Sequence, residues 1–195
     1  MKKFMWIAML FCAVWYSQAS AVVIFSAGGF EEQPAFSNWT STGGVWATSG
    51  GNVHTGGKRA QAIGPTNSAG DVLLLVLPAG GFKDLSLEFW YRIADGLESA
   101  DHLFAEFTAD GASWQQLADI TGPVMADWQM ASINLPAQAN DNPLLQLRFR
   151  AVLGAGSDAV HLDDVQVLGQ LVPEPATMIL LLFAPLVVAR RKSRS

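Results

Sequence analysis

The side chains in this sequence best suited to chemistry are carboxylates, tryptophans and arginines. Glu31-Glu32 stand near the start of the chain and Asp163-Asp164 near its end. Such groups are hard oxygen ligands, and two or three of them, completed by backbone carbonyls, make a minimal Ca²⁺ set. Trp90 and Arg92 alternate on one short segment, and Arg148 and Arg150 on another. A flat indole beside guanidinium forks offers a sugar a stacking face and hydrogen-bond donors. Trp90, Arg92, Arg148 and Arg150 are therefore the candidate sugar-binding set, expected to join in one concave groove. Trp114 follows the turn Asp110-Gly111 and is expected to pack beneath that hairpin. His54, His102 and His161 are scattered and lack a zinc-ligand spacing, and no G-x-S-x-G elbow or P-loop occurs. Glu88 and Glu106 are a carboxylate pair of the kind glycoside chemistry uses, although alternating strands of an acidic chain offer such pairs by chance. No catalytic residue is assigned, and the chain is read as non-enzymatic.

The segments that must position these residues read as strands. In 85–93, Leu85, Leu87, Phe89, Tyr91 and Ile93 alternate with Ser86, Glu88, Trp90 and Arg92, the two-residue period of a half-buried strand. The same period places Leu103, Ala105 and Phe107 inward in 102–108, and Leu145, Leu147, Phe149 and Ala151 inward in 145–151. Segments 22–26, 58–63, 71–77, 114–120, 128–135 and 159–168 complete the set, with Asp110-Gly111 closing a hairpin. Residues 36–57, rich in Gly, Ser, Thr and Trp, read as long loops with short strands. Strands at short regular intervals with no helix between them predict an all-β antiparallel sandwich.

Four motifs recur in a characteristic order: Gly29-Phe30-Glu31, Leu87-Glu88-Phe89-Trp90-Tyr91, the hairpin Thr108-Ala109-Asp110-Gly111-Ala112-Ser113-Trp114, and His161-Leu162-Asp163-Asp164-Val165. Together, over roughly 25–168, they resemble the jelly-roll domains of the galactose-binding-like and MAM-like group, which includes many carbohydrate-binding modules. The resemblance implies an antiparallel jelly-roll β-sandwich with its first and last strands side by side. It also implies a structural Ca²⁺ near Glu31, Glu32, Asp163 and Asp164; no other cofactor is required.

The two ends carry addresses. Lys2-Lys3, an apolar run over 4–16 and Ala19-Ser20-Ala21 form a signal peptide, residues 1–21, with cleavage by signal peptidase expected after Ala21. An uncleaved amino-terminal anchor is the alternative. The single cysteine, Cys12, lies inside that run after Phe11, so neither lipidation nor a disulfide is available to the mature chain. The jelly-roll ectodomain spans 22–170. In 171–195, Val172-Pro173-Glu174-Pro175 (motif 172–177) precedes an apolar segment, 178–189, and the basic tail 190–195. A membrane would hold the apolar segment as a helix and leave the Arg-rich tail in the cytoplasm. This order resembles the PEP-CTERM sorting signal of Gram-negative bacteria. The resemblance implies recognition by exosortase, a membrane protease-transpeptidase, with export through the inner membrane and transfer to the cell surface or outside. A plain tail anchor is the alternative, although Pro185 interrupts a run short for spanning.

All seventeen acidic residues but only six basic ones lie in the exported part, a net charge of about −11 against −5 for the whole chain. That balance excludes nucleic acid as a partner. The expected role is a non-enzymatic component of an exopolysaccharide or biofilm matrix. The alternatives are a carbohydrate-binding module with polysaccharide as its partner and, more remotely, a glycan-active enzyme.

Overall fold

The alternation of apolar and polar residues becomes two packed sheets in the computed structural model, which describes residues 20–32 and 36–172. Eleven strands occur among them: β1 (Val22–Ser26), β2 (Trp39–Thr42), β3 (Trp46–Ser49), β4 (Arg59–Ile63), β5 (Asp71–Val76), β6 (Phe82–Ile93), β7 (His102–Thr108), β8 (Gln115–Ile120), β9 (Gln129–Asn134), β10 (Gln146–Val152) and β11 (Ala159–Leu171). One sheet has six strands, ordered β3-β4-β11-β6-β9 with β1 also paired to β11. The other has five, ordered β2-β5-β10-β7-β8. Every pairing between them is antiparallel. The fold is an antiparallel jelly-roll β-sandwich, as the sequence predicts. The expected terminal apolar helix, the leader up to Ala19 and the motif Pro173-Glu174-Pro175 lie outside the described residues.

The inward residues of both sheets meet in one apolar layer. Leu87 and Phe89 of β6, Leu103 and Phe107 of β7, Leu147 and Phe149 of β10 and Val167 of β11 are all buried there. Phe89 meets Phe149 edge to face at 4.9 Å, the arrangement aromatic quadrupoles favour. Residues 36–57 hold two four-residue strands that belong to different sheets. β2 pairs with β5 and β3 with β4. Gly43 and Gly44, both with positive φ, turn the chain between them. Trp39 and Trp46 are buried on either side of that turn, and the Trp46 indole donates to the Asp71 carbonyl at 3.0 Å.

One irregularity prepares the chemistry. Along β11, Asp163 pairs with Trp90 but Gln166 pairs with Glu88, so β11 carries one residue more than β6. Such a bulge breaks the in-out alternation locally. Asp164 takes a left-handed φ of 45°. Asp163 and Asp164 therefore both turn to the outer side of the sheet, Asp163 fully buried there and Asp164 partly exposed, while Leu162 and Val165 on either side stay in the core.

Candidate functional site

The two outer faces of the sandwich each carry aromatic rings and arginines. On the five-stranded sheet, the register sets Arg148 beside Glu106 and Arg150 beside Phe104. Arg148 Nε donates to Glu106 Oε2 at 2.6 Å, and Arg150 Nη2 donates to Oε1 at 2.8 Å. Each guanidinium also faces a ring. Arg148 lies 3.9 Å from the Trp114 centroid and Arg150 lies 4.3 Å from that of Phe104. His102 stacks on Phe104 at 4.9 Å, and its Nδ1 meets Asp119 Oδ1 at 2.7 Å. Trp114, Arg148, Glu106, Arg150, Phe104 and His102 thus form a continuous ladder.

Burial alone would raise the pKa of Glu106, but the hydrogen bonds from Arg150 and Arg148 outweigh it and hold the carboxyl below its ordinary value. The group is ionised, and its lone pairs are spent on the arginines. Arg148 is fixed through Nε, and its two terminal nitrogens make no hydrogen bond among the described residues. A guanidinium locked by an ion pair and a ring presents donors with little rotamer freedom left to lose on binding. Trp114, half-buried, supplies flat apolar surface beside it. It does not pack beneath its hairpin as the sequence suggests. Thr108 and Asp110 close that turn by themselves, Asp110 accepting from the Ala112 and Ser113 amides at 2.8 and 2.7 Å.

The outer face of the six-stranded sheet is covered. Residues 50–58 cross it, and His54 stacks on Trp90 at 3.8 Å with 16° between the planes. The two acids of the β11 bulge hold this loop down. Asp163 Oδ2 accepts from the His54 amide at 2.7 Å; Asp164 takes His54 Nδ1 and the Thr55 hydroxyl, both at 2.6 Å. Glu31 completes the grip by accepting from the Gly57 and Lys58 amides at 2.5 and 2.6 Å. Under the loop lie Arg59 and His161, both buried, with Arg59 Nη2 at 3.2 Å from His161 Nε2. Burial, followed by the charges of Arg59 and Arg92, pushes the His161 pKa down to about 3. Burial raises that of Asp163.

This geometry corrects the expectation of a single groove. Trp90 and Arg92 do not share a groove with Arg148 and Arg150: alternation sends all four outward, but from different sheets and therefore to opposite faces. Glu88 and Glu106 are separated in the same way, so they do not flank one bond. The four acids expected to hold Ca²⁺ do come near one loop, since β1 pairs with β11. No three of them bring oxygens within 4.8 Å of one another; Asp163 and Glu31 accept from backbone amides, and Asp164 meets His54 Nδ1 and the Thr55 hydroxyl. Glu32 is turned away, towards the Ser37 hydroxyl and the Asn38 amide.

Sequence reasoning did not single out Glu98, Asp101 and Asp158, whose oxygens do lie within 4.8 Å of one another. Asp101 accepts from the Gly154 amide at 2.7 Å and Asp158 from the Ala155 amide at 2.5 Å, tying two loops together. A hydrogen bond to Asp101 raises the pKa of Glu98. The roles of Trp114, Glu106 and Phe104 were also missed, because cross-strand register alone makes them neighbours. Val172 and Ala21 are exposed at the two ends of the described domain. No helix among the described residues is long and apolar enough to cross a membrane.

Similarity to solved structures supports the same architecture. The CBM22-1 xylan-binding domain from Paenibacillus barcinonensis Xyn10C matches 79% of this chain and 98% of its own, with 17% identity and a TM-score of 0.54. TmCBM61, solved in complex with β-1,4-galactotriose, matches 76% of this chain and 99% of its own, with 15% identity and a TM-score of 0.55. The K3 cleaved adhesin domain of Lys-gingipain from Porphyromonas gingivalis matches 76% of this chain and 99% of its own, with 16% identity and a TM-score of 0.57. At such identities the likeness is one of fold: the jelly roll also found in carbohydrate-binding modules. No protein-family model and no curated protein matches the chain.

Proposed function

We propose that this chain is an exported, non-enzymatic carbohydrate-binding module whose ligand lies on the outer face of the five-stranded sheet. The observation that carries the reading is the Trp114–Arg148–Glu106–Arg150–Phe104 ladder, an ion-paired donor set flanked by rings and partly exposed. Sugars are bound by flat apolar surface with a few fixed polar groups, and the ladder offers both. The fold it shares with a xylan-binding domain and a galactotriose-bound module adds support. Affinity electrophoresis in gels containing neutral xylan or β-1,4-galactan tests it. The protein is expected to be retarded, and Trp114→Ala to weaken retention about tenfold, the loss of roughly 1.4 kcal/mol of contact. A folded protein that runs freely in every gel, or a Trp114→Ala variant retained like the parent, would count against the reading.

The ends favour a sorted protein. Signal peptidase would cut after Ala21, exosortase would act near Pro173-Glu174-Pro175, and the domain would reach the cell surface or exopolysaccharide matrix of a Gram-negative host. Intact mass from the host tests this. A species beginning at Val22 and ending near residue 175 outside the cell fits sorting. A chain still ending at Ser195 in the membrane fraction fits a tail anchor and removes the sorting step.

A further inference from the structure

The covered face of the six-stranded sheet contains a donor cluster that the sugar-binding ladder does not use. Residues 52–55 form a flap between two glycine pairs, with Gly51 at φ +74° and Gly56 at φ +64°, conformations that side chains other than glycine rarely adopt. Beneath the flap, Arg59 is 7% exposed and His161 is 6% exposed. His161 Nε2 receives the Arg59 Nη2 hydrogen, so the imidazole hydrogen sits on Nδ1. That Nδ1–H, the Arg59 Nε–H and the Trp128 Nε1–H are all buried and have no acceptor. The Trp128 and His161 rings are 6.1 Å apart, so the three belong to one cluster.

Buried donors in proteins are nearly always paired, and three orphans in one place point to an acceptor the chain does not supply. The charge points the same way. Neither Arg59 nor Arg92 forms an ion pair with a carboxylate among the described residues. The adjacent Asp163 has its oxygens engaged by the amides of His54, Thr55 and Asp164. Asp163 supplies one negative charge to Arg59 but no free lone pair to the orphan donors, whereas a carboxylate would accept from several of them at once and balance the second guanidinium. Trp128, tilted against His161 and edge-on to His54, borders the cluster with indole surface, whereas the Trp90 ring is already stacked on His54.

We propose that this cluster is a second binding site, taking the carboxylate of an acid sugar and closed by the 52–55 flap. It is independent of the ladder on the opposite face and stands or falls separately. The test titrates the full chain, in mild detergent, with tri-galacturonate, its methyl ester and sodium acetate, followed by calorimetry. Tri-galacturonate is expected to bind at least about tenfold more tightly than the ester or acetate, the worth of one charge-assisted contact. Trp128→Phe keeps a ring and deletes one orphan donor. It should weaken tri-galacturonate about tenfold while leaving the melting temperature unchanged or higher. Arg92→Gln should weaken binding further; if that variant fails to fold, Trp128→Phe decides. Equal affinity for acid and ester, acetate binding as tightly as the trisaccharide, no binding by the folded wild-type chain, or an unchanged affinity in Trp128→Phe would each overturn the proposal.

Discussion

Trp90 on the six-stranded sheet and Trp114 on the five-stranded sheet both sit near arginines on outward faces, and their surroundings differ in one respect. Trp90 is overlaid by His54 from a loop that three carboxylates hold in place. Trp114, half-buried, stacks on Arg148, which Glu106 fixes from within the sheet. Residue type therefore does not decide which face is open. The position of the acids does: on one face they hold a covering loop, and on the other they hold the arginines themselves.

The largest expected consequence of that difference is a pH effect confined to the covered face. Folded His161 binds its proton only below about pH 3, whereas an unperturbed imidazole does so near its ordinary 6.5. Between those values the unfolded chain holds a proton that the folded chain does not, so stability falls as the pH falls through the window. The loss amounts to as much as about 5 kcal/mol across the window, about 3 kcal/mol of it above pH 4. Asp163, raised by burial, has the opposite sign and offsets part of it at the acid end. Urea melts from pH 7 to pH 4 should show the decline in the parent and a much shallower one in His161→Gln. Equal slopes would mean that the covering of this face is not what makes the fold acid-sensitive.

On the open face the corresponding change is Glu106→Gln. It leaves Arg148 and Arg150 side by side with no carboxylate between them, in a site where the Glu106 side chain is 8% exposed. Removing one partner of such a largely buried pair costs about 3 kcal/mol. Retention on neutral glycan should also be lost, since the guanidiniums are no longer held under their rings. A variant with parental stability and retention would show that the ladder is not pre-organised by its ion pairs.

The tryptophans sharpen the contrast at a smaller scale. Trp90→Ala removes the platform on which His54 rests and is expected to cost about 1–2 kcal/mol, with retention on neutral glycan kept. Trp114→Ala should do the reverse, costing less than about 1 kcal/mol while weakening retention. Thermal melts and affinity gels on the same two proteins read both quantities. If both substitutions act alike, the two faces are not functionally distinct.

The in-out pattern of the sandwich is legible in the sequence because it is local. Leu85 to Ile93 show their alternation within nine residues, and the structure buries Leu85, Leu87, Phe89 and Ile93 as that pattern requires. What alternation cannot encode is the sheet to which a strand belongs. Trp90 and Arg148 look equivalent in sequence, yet β6 and β10 lie in different sheets, so their outward sides point apart. The flap was hidden for a related reason. Residues 50–58 have no periodicity of their own, and the group that orders His54 lies 109 residues away in the chain. Asp163-Asp164 did mark a special place in the last strand. Two successive acids in an otherwise alternating strand both turn from the core only where a bulge breaks the alternation, and their partners come from the distant loop: amides for Asp163, the Thr55 hydroxyl and His54 Nδ1 for Asp164.

The smallest change isolates the flap from everything beneath it. Thr55→Val keeps the shape and branching of the side chain but removes the hydroxyl that donates to Asp164 at 2.6 Å. The bond is exposed, and its loss should cost only about 0.5–1 kcal/mol. Its effect is local because the His54 and Thr55 amides remain bonded to Asp163 and the Gly57 and Lys58 amides to Glu31. Hydrogen exchange should therefore quicken at residues 52–55 alone, with β6, β11 and the Trp114 ladder unchanged. Exchange that quickens along β11 as well would mean the loop and strand open as one unit, and that the covered face is sealed by the sheet rather than closed by a flap.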